Sequence, residues 1–493
     1  MRNHFLASAR LLLFVAIALF VYQHDASQHA ALAQDKAAQI QEVLSVAHKY
    51  RQFNGTALVA ENGKIIYKSG FGMANMEWGL PNTPDTRFRL GSITKQFTAM
   101  LALQLVEQGK IKLDANISDY LPDYRQDIGK KVTIHHLLTH TSGIPSYTGL
   151  PKFFENVSRN PYKVDEFVKI YASGDLQFEP GAKYSYNNSG YFLLGAIIER
   201  VTGKTYEQVL KENIFDPVGM KNTGYDRHDP LIQKRASGYL ATPDGYRNAP
   251  YLDMSIPYAA GSMYSTVEDL YLWDQALYTD KLISAQSKEL MFKPFLENYA
   301  YGFVVTNASF KHNDQPVQVI RHGGGINGFS TILERFAKDK NLIVILDNTS
   351  SQNVGRLSGT IAKILYNQPY DLPKISIAST LLKTINEKGV EAGIAEYRDL
   401  KAKQAATYDF GEPELNDLGY RLMRMGKVKE AVEIFKLNVE AYPQAFNTYD
   451  SLGEGYMTLN EHELAVLNYK KSLELNPNNT NAVEMLKKLE EPR

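Results

Sequence analysis

Strand-like residues stand at two places far apart in this chain, and a single sheet has to be assembled from both. Near the start, residues 56–61 and 64–69 are extended in character and joined by Asn62-Gly63, the strongest short signal for a hairpin turn. The second block comes much later, as residues 317–321, 330–336 and 341–346, the last two separated by an Asp339-Lys340 turn. Between the blocks, residues 130–290 alternate short helical pieces with Gly, Pro, Asn and Asp clusters such as Thr141-Ser142-Gly143-Ile144-Pro145, which predicts a mostly helical region with long loops. A helix over residues 354–366 would cover the sheet. The expected fold class is therefore an α/β (α+β) sandwich closed by the two ends of the domain.

The pattern breaks at residues 367–374, where Gln-Pro-Tyr-Asp-Leu-Pro interrupts both periods, so 368–374 is expected to be a linker. Beyond it Leu418, Gly419, Gly426, Ala431, Phe435 and Pro443 recur as Leu452, Gly453, Asn460, Ala465, Tyr469 and Pro477, each pair 34 residues apart. Small residues where paired helices approach, with proline ending each second helix, resemble tetratricopeptide repeats. Residues 375–493 are thus expected to form an all-helical TPR-like domain, with 375–403 and 480–489 as atypical caps. The alternative is a helical bundle with a coincidental period.

Composition narrows the class. The chain has no cysteine, which excludes disulfides, thiolate nucleophiles and thiolate metal sites. Its 54 basic and 54 acidic residues cancel, and no basic patch points to nucleic acid. Arg2 and Arg10, a twelve-residue apolar run over 11–22 and Ala31-Leu32-Ala33 read as an export signal over residues 1–33. The expected location is periplasmic or secreted. The competing reading is an uncleaved anchor, the one route to membrane contact, but twelve residues rise only about 18 Å as a helix, short of a ~30 Å hydrocarbon core.

Chemistry concentrates at Ser92-Ile93-Thr94-Lys95. A hydroxyl and an amine three residues apart share one helix face, and the helix pattern over residues 92–108 places Ser92 at its head. Serine becomes a nucleophile when a neighbour takes its proton, and a desolvated lysine can do so. Alone the pattern is weak, since serine opens many helices as an ordinary cap. Ser92 is, however, the only serine followed by lysine three places later, and no G-x-S-x-G occurs. Two further elements stand downstream: Tyr186-Asn187-Asn188, and His322-Gly323-Gly324-Gly325 after an apparent strand.

With these three elements in this order, residues 34–367 resemble the β-lactamase-related serine hydrolases, which include class C β-lactamases, D-Ala-D-Ala carboxypeptidases, penicillin-binding proteins, D-amino-acid peptidases and esterases. Residues 137–145, Pro180-Gly181 and residues 260–266 ahead of Asp269-Leu270 carry the same likeness. The resemblance implies an antiparallel sheet with a helical subdomain. By similarity Ser92 forms an acyl-enzyme, Lys95 accepts or relays its proton, and Tyr186 acts as base and then acid toward the leaving group. Asn188 binds the substrate amide, and His322 stands where the lactamases carry lysine. Gly324 and Gly325 border the substrate, with the N–H groups of Ser92 and Gly325 forming the oxyanion hole. Asn187, often Ser in relatives, is expected to point away from the pocket.

The implied substrate is a D-amino-acid peptide, a β-lactam or an ester, with no cofactor and with loops 145–165 and 240–260 shaping the pocket. The alternatives are a penicillin-binding-like sensor, or a scaffold with a silent catalytic fold whose helical repeats bind a protein partner. His135, His136 and His140 form a histidine cluster, but no H-E-x-x-H glutamate lies among them and no metal is expected.

Overall fold

The computed structural model describes residues 35–242 and 245–490; the expected signal segment over 1–33 lies outside the described residues. Two compact units are present, one formed by residues through Thr242 and by Tyr246–Leu372, the other holding the chain from Pro373 onward.

The first unit is organised on a six-stranded sheet of β1 (Gly55–Glu61), β2 (Lys64–Phe71), β3 (Val304–His312), β4 (Gln315–Ile326), β5 (Phe329–Phe336) and β6 (Asn341–Asp347), in the order β3-β4-β5-β6-β1-β2. Every pairing is antiparallel. The hairpin turn at Asn62 and Gly63 has φ of 51° and 76°, the two positive values that match the twist of the flanking strands. The two strand blocks meet where β1 pairs with β6, from Gly55 opposite Asp347 to Ala60 opposite Leu342.

Both faces of this central pair are buried, and the two-residue period decides which core each side chain enters. Leu58, Ala60, Leu342, Val344 and Leu346 join one core, while Ala57, Val59, Ile343 and Ile345 join the other. The second core is completed by the helix over residues 35–49 (α1), which contributes Ile40, Val43 and Leu44, and by a helix at Val354–Leu365, which contributes Leu357 and Ile361. The first core lies under the helical subdomain, including α2 (Thr94–Glu107) and α3 (Asn188–Thr202). Nearly every position of α2 is buried, so it runs through the interior rather than over a surface.

Strand β3 was not legible in the sequence. It is an edge strand whose residues, VVTNASFKH, are mostly half-buried or exposed, so no strict alternation marks it. The predicted 92–108 helix is divided: a short 3-10 turn at Gly91–Ile93 precedes α2.

Residues 368–374 form neither helix nor strand. The second unit is dominated by helices: Ile377–Lys388, Val390–Lys403, Glu412–Arg424, Val428–Ala441, Phe446–Thr458, His462–Leu475 and Thr480–Glu490. The 34-residue period has a direct packing counterpart. A Cβ on Gly419 would lie 2.2 Å from Phe435, and one on Gly453 would lie 3.1 Å from Tyr469, so the same close approach recurs one period later. Pro443 and Pro477 each follow a helix end by two residues. Among the described residues no helix is long and apolar enough to cross a membrane.

Candidate active site

Backbone contact between β4 and the turn before α2 sets the site. Gly91 has φ of 56°, and a Cβ there would sit 3.0 Å from both Gly325 N and Gly325 O. At Gly324 a Cβ would come within 1.9 Å of Leu90 O and 2.3 Å of Thr331 Oγ1. Thr331 Oγ1 donates to Leu90 O at 2.7 Å, tying β5 to the same turn. These glycines let two backbones touch, which leaves Ser92 facing the strand end.

Ser92 is not spent as a helix cap: neither the 3-10 turn nor α2 has a side-chain cap hydrogen bond. Its hydroxyl lies 3.0 Å from Lys95 Nζ, which also reaches Asn188 Oδ1 at 2.8 Å and Ala260 O at 2.9 Å. All three contacts are neutral oxygens, and Lys95 is fully buried. Burial without a counter-charge holds its pKa well below the ordinary lysine value. A neutral amine at this point can donate to Asn188 and Ala260 while its lone pair accepts from Ser92.

Helix α3 brings the second element. Asn187 caps it, accepting from Gly190 N at 2.8 Å, and its amide donates to Ile144 O, so its side chain turns into the fold. Asn188, the first helical residue, spans from Lys95 to Thr148 Oγ1 at 3.1 Å. The Tyr186 ring lies beside the amine, 4.9 Å from Nζ to its centroid. Burial pushes the Tyr186 phenol up, and a hydrogen bond with Ser92 offsets part of that push. With 39% of the residue exposed, that push is only partial. Burial thus favours a neutral amine and a neutral phenol together.

His322 is buried on β4. Nδ1 lies 2.6 Å from Gly323 O, so it carries the proton, and Nε2, at 3.1 Å, accepts from the Tyr299 hydroxyl. Burial lowers its pKa to about 4. It is therefore a neutral ring with both nitrogens occupied.

Beside Ser92 opens a cavity of about 600 Å³ that is lined by Ser92, Asn188 and Gly325. Its wall draws on both expected loops, with Tyr147 and Phe153 from one and Leu240 and Leu252 from the other. Lys95, Tyr186, His322 and Gly324 are not among its lining residues. Lys95 and His322 are buried beside Ser92 and Tyr299, and Gly324 provides close packing against Leu90.

Residues 34–368 match the beta-lactamase family. The chain belongs to that family. A penicillin-binding protein of Bacillus subtilis (strain 168) is 33% identical over 368 residues, covering 70% of this chain and 79% of its own. The teichoic acid D-alanine hydrolase of Staphylococcus aureus is 28% identical over 334 residues, covering 66% and 78%. Among solved structures, the D-amino acid amidase of Ochrobactrum anthropi SV3 has a TM-score of 0.59 at 26% identity, covering 68% of this chain and 99% of its own.

In this member of the beta-lactamase family, sequence reasoning missed Ala260 O and Thr148 Oγ1 as partners of the Lys95–Asn188 pair, and Tyr299 as the partner of His322. A backbone carbonyl has no sequence signature, and Tyr299 is one of 31 tyrosines. The histidine cluster is dispersed into local bonds: His135 Nδ1 lies 2.8 Å from the Tyr301 hydroxyl, and His136 Nδ1 accepts from Thr133 N at 3.2 Å. No group of three or more metal-ligating side chains occurs among the described residues.

Proposed function

We propose that the protein is an exported serine hydrolase that works through an acyl-enzyme on Ser92. The observation that carries this reading is the Ser92–Lys95 contact of 3.0 Å, made by a fully buried amine with only neutral partners. Neutral Lys95 takes the Ser92 proton as Oγ attacks the acyl carbon. Backbone N–H groups of Ser92 and Gly325 receive the oxyanion. Tyr186, a neutral phenol at working pH, donates its proton to the leaving group, and its phenolate recovers one from the Lys95 ammonium. Water then attacks the ester carbonyl, the same groups act in reverse, and Ser92 is released.

The substrate class is a D-amino-acid ester or amide. Relatives named as a D-alanine hydrolase and a D-amino acid amidase support it, and so does His322: where lactamases of the resembling kind carry a cation, this chain has a neutral ring already bonded on both sides. An anchoring cation for a lactam carboxylate is missing at that position, so β-lactam turnover is the weaker reading. The N-terminal sequence and the penicillin-binding relative favour an extracytoplasmic location. Residues 34–367 form the catalytic domain and 375–493 a TPR-like domain open to a protein partner, a reading supported by the repeated Gly419–Phe435 and Gly453–Tyr469 approaches.

Intact-protein mass spectrometry tests the central claim. Exposure to D-alanine thioesters, D-alanine p-nitroanilide and benzylpenicillin should add one acyl group on Ser92 with the first two. Ser92→Ala should abolish the adduct and lower turnover about 10³-fold or more. Adduct formation on another residue, or unimpaired turnover by the variant, would end the reading.

A further inference from the structure

His140 has a left-handed backbone, with φ of 58°. It is 1% exposed. A buried non-glycine residue in this region is held there by its surroundings, and such residues gather at functional sites. The conformation here lets one residue bond twice to the same neighbouring segment. Its carbonyl accepts from Ser185 N at 2.8 Å, and its ring Nδ1 accepts from Asn187 N at 3.1 Å. The residue between those two donors is Tyr186.

The ring also bears on that tyrosine directly. Its centroid is 4.4 Å from that of Tyr186 and 4.4 Å from that of Tyr299, with Tyr191 at 5.1 Å. The following residues continue the attachment, since Thr141 O accepts from Gly181 N and Gly143 O from Gln177 N, both at 2.8 Å. Because Nδ1 accepts, Nε2 must carry the proton, and that buried N–H has no partner among the described protein atoms. An unpaired buried donor is costly, so a plain core residue would serve packing better.

We propose that His140 is the positioning residue for Tyr186, clamping the backbone on both sides of it and setting its ring against Ser92. The clamp requires the neutral ring, since a proton on Nδ1 would remove the acceptor for Asn187. Burial keeps the ring neutral. This inference rests on the acyl-enzyme reading above for its kinetic consequence and on geometry alone for its structural one.

Two variants of the full chain separate positioning from folding. His140→Gly accepts the left-handed backbone and keeps the carbonyl bond but loses the ring and Nδ1. His140→Asn tolerates the same backbone and restores a side-chain acceptor. With D-alanine p-nitroanilide, His140→Gly should lower kcat about 100-fold with KM within about threefold, the signature of a catalytic group misplaced by about 1 Å. His140→Asn should recover about tenfold of that loss. Crystal structures should show the Tyr186 oxygen displaced from Ser92 in His140→Gly and returned in His140→Asn. A kcat within about threefold of the parent in His140→Gly, or no recovery in His140→Asn, overturns the proposal. If the parent protein forms no adduct on Ser92, the hydrolase reading fails on its own. The clamp is then judged by the two crystal structures: a Tyr186 that has not moved in His140→Gly overturns it, and a displaced one supports it.

Discussion

Replacing Gly324 by alanine should cripple the protein through one methyl group, whereas the same change at neighbouring Gly323 should do little. A Cβ on Gly324 would lie 1.9 Å from Leu90 O and 3.0 Å from Leu90 C, both backbone atoms that cannot swing aside. An ordinary carbon–oxygen contact is about 3.3 Å, so β4 and the Ser92 turn must part by roughly 1.4 Å, the gap between that value and the 1.9 Å found. Gly325 N and the Ser92 turn would separate with them, and a displacement of that size costs about 100-fold or more in kcat. The overpacking itself costs about 1–3 kcal/mol of stability. On Gly323 a Cβ would meet only Thr331 O at 3.6 Å, an ordinary contact. The assay is steady-state hydrolysis of D-alanine p-nitroanilide by both variants, with thermal unfolding measured alongside. Gly324→Ala with near-parent kcat would refute the idea that close backbone approach builds the oxyanion site. Equal losses in both variants would refute it too, since they would trace the effect to glycine flexibility alone.

Lys95→Met should lower kcat about 10³-fold by removing the proton acceptor, and in the parent the acid limb of kcat/KM should fall far below the ordinary lysine range, because activity needs the neutral amine and burial lowers its pKa; a limb near the ordinary lysine value would contradict the assignment. The His322 ring, with a folded pKa near 4 against 6.5 unfolded, takes up its proton later in the native state than in the unfolded one. Its contribution to stability is therefore whole above about pH 6.5 and lost as pH falls toward 4, by at most about 3 kcal/mol. Denaturant unfolding from pH 7 to 4 should show a shallower decline in His322→Gln than in the parent, and parallel curves would exclude this. Asp274→Ala should cost about 3–5 kcal/mol, because it strands buried Arg335, whose Nε lies 2.5 Å from the Asp274 carboxylate; a loss below about 1 kcal/mol in chemical denaturation would show that the pair contributes little.

The elements that sequence reasoning recovered are those whose signals are local. Asn62-Gly63 announces its hairpin because two positive φ angles admit few residue types, and Ser92 and Lys95 meet because helical spacing alone brings them to one face. The repeat likewise reads out directly, since Gly419 and Gly453 must be small to admit Phe435 and Tyr469. Edge strand β3 escaped because half of its surroundings is water, so selection for an alternating apolar face is weak. Ala260 and Tyr299 escaped because their contribution is a position in space: Ala260 O meets an amine 165 residues away, and Tyr299 stands 23 residues before His322 outside any motif.

The charge state of the site belongs to the second category. Spacing brought Ser92 and Lys95 together, and the resemblance of the three motifs added Tyr186 and the fold that would hold them. Which of them is poised to take a proton depends on desolvation, and desolvation is a property of everything packed around a group rather than of its neighbours in sequence. Lys95 is held toward the neutral amine because the assembled core excludes water from it and offers no anion in return. His322 becomes a neutral, doubly bonded ring because the strand carrying it closes over Tyr299.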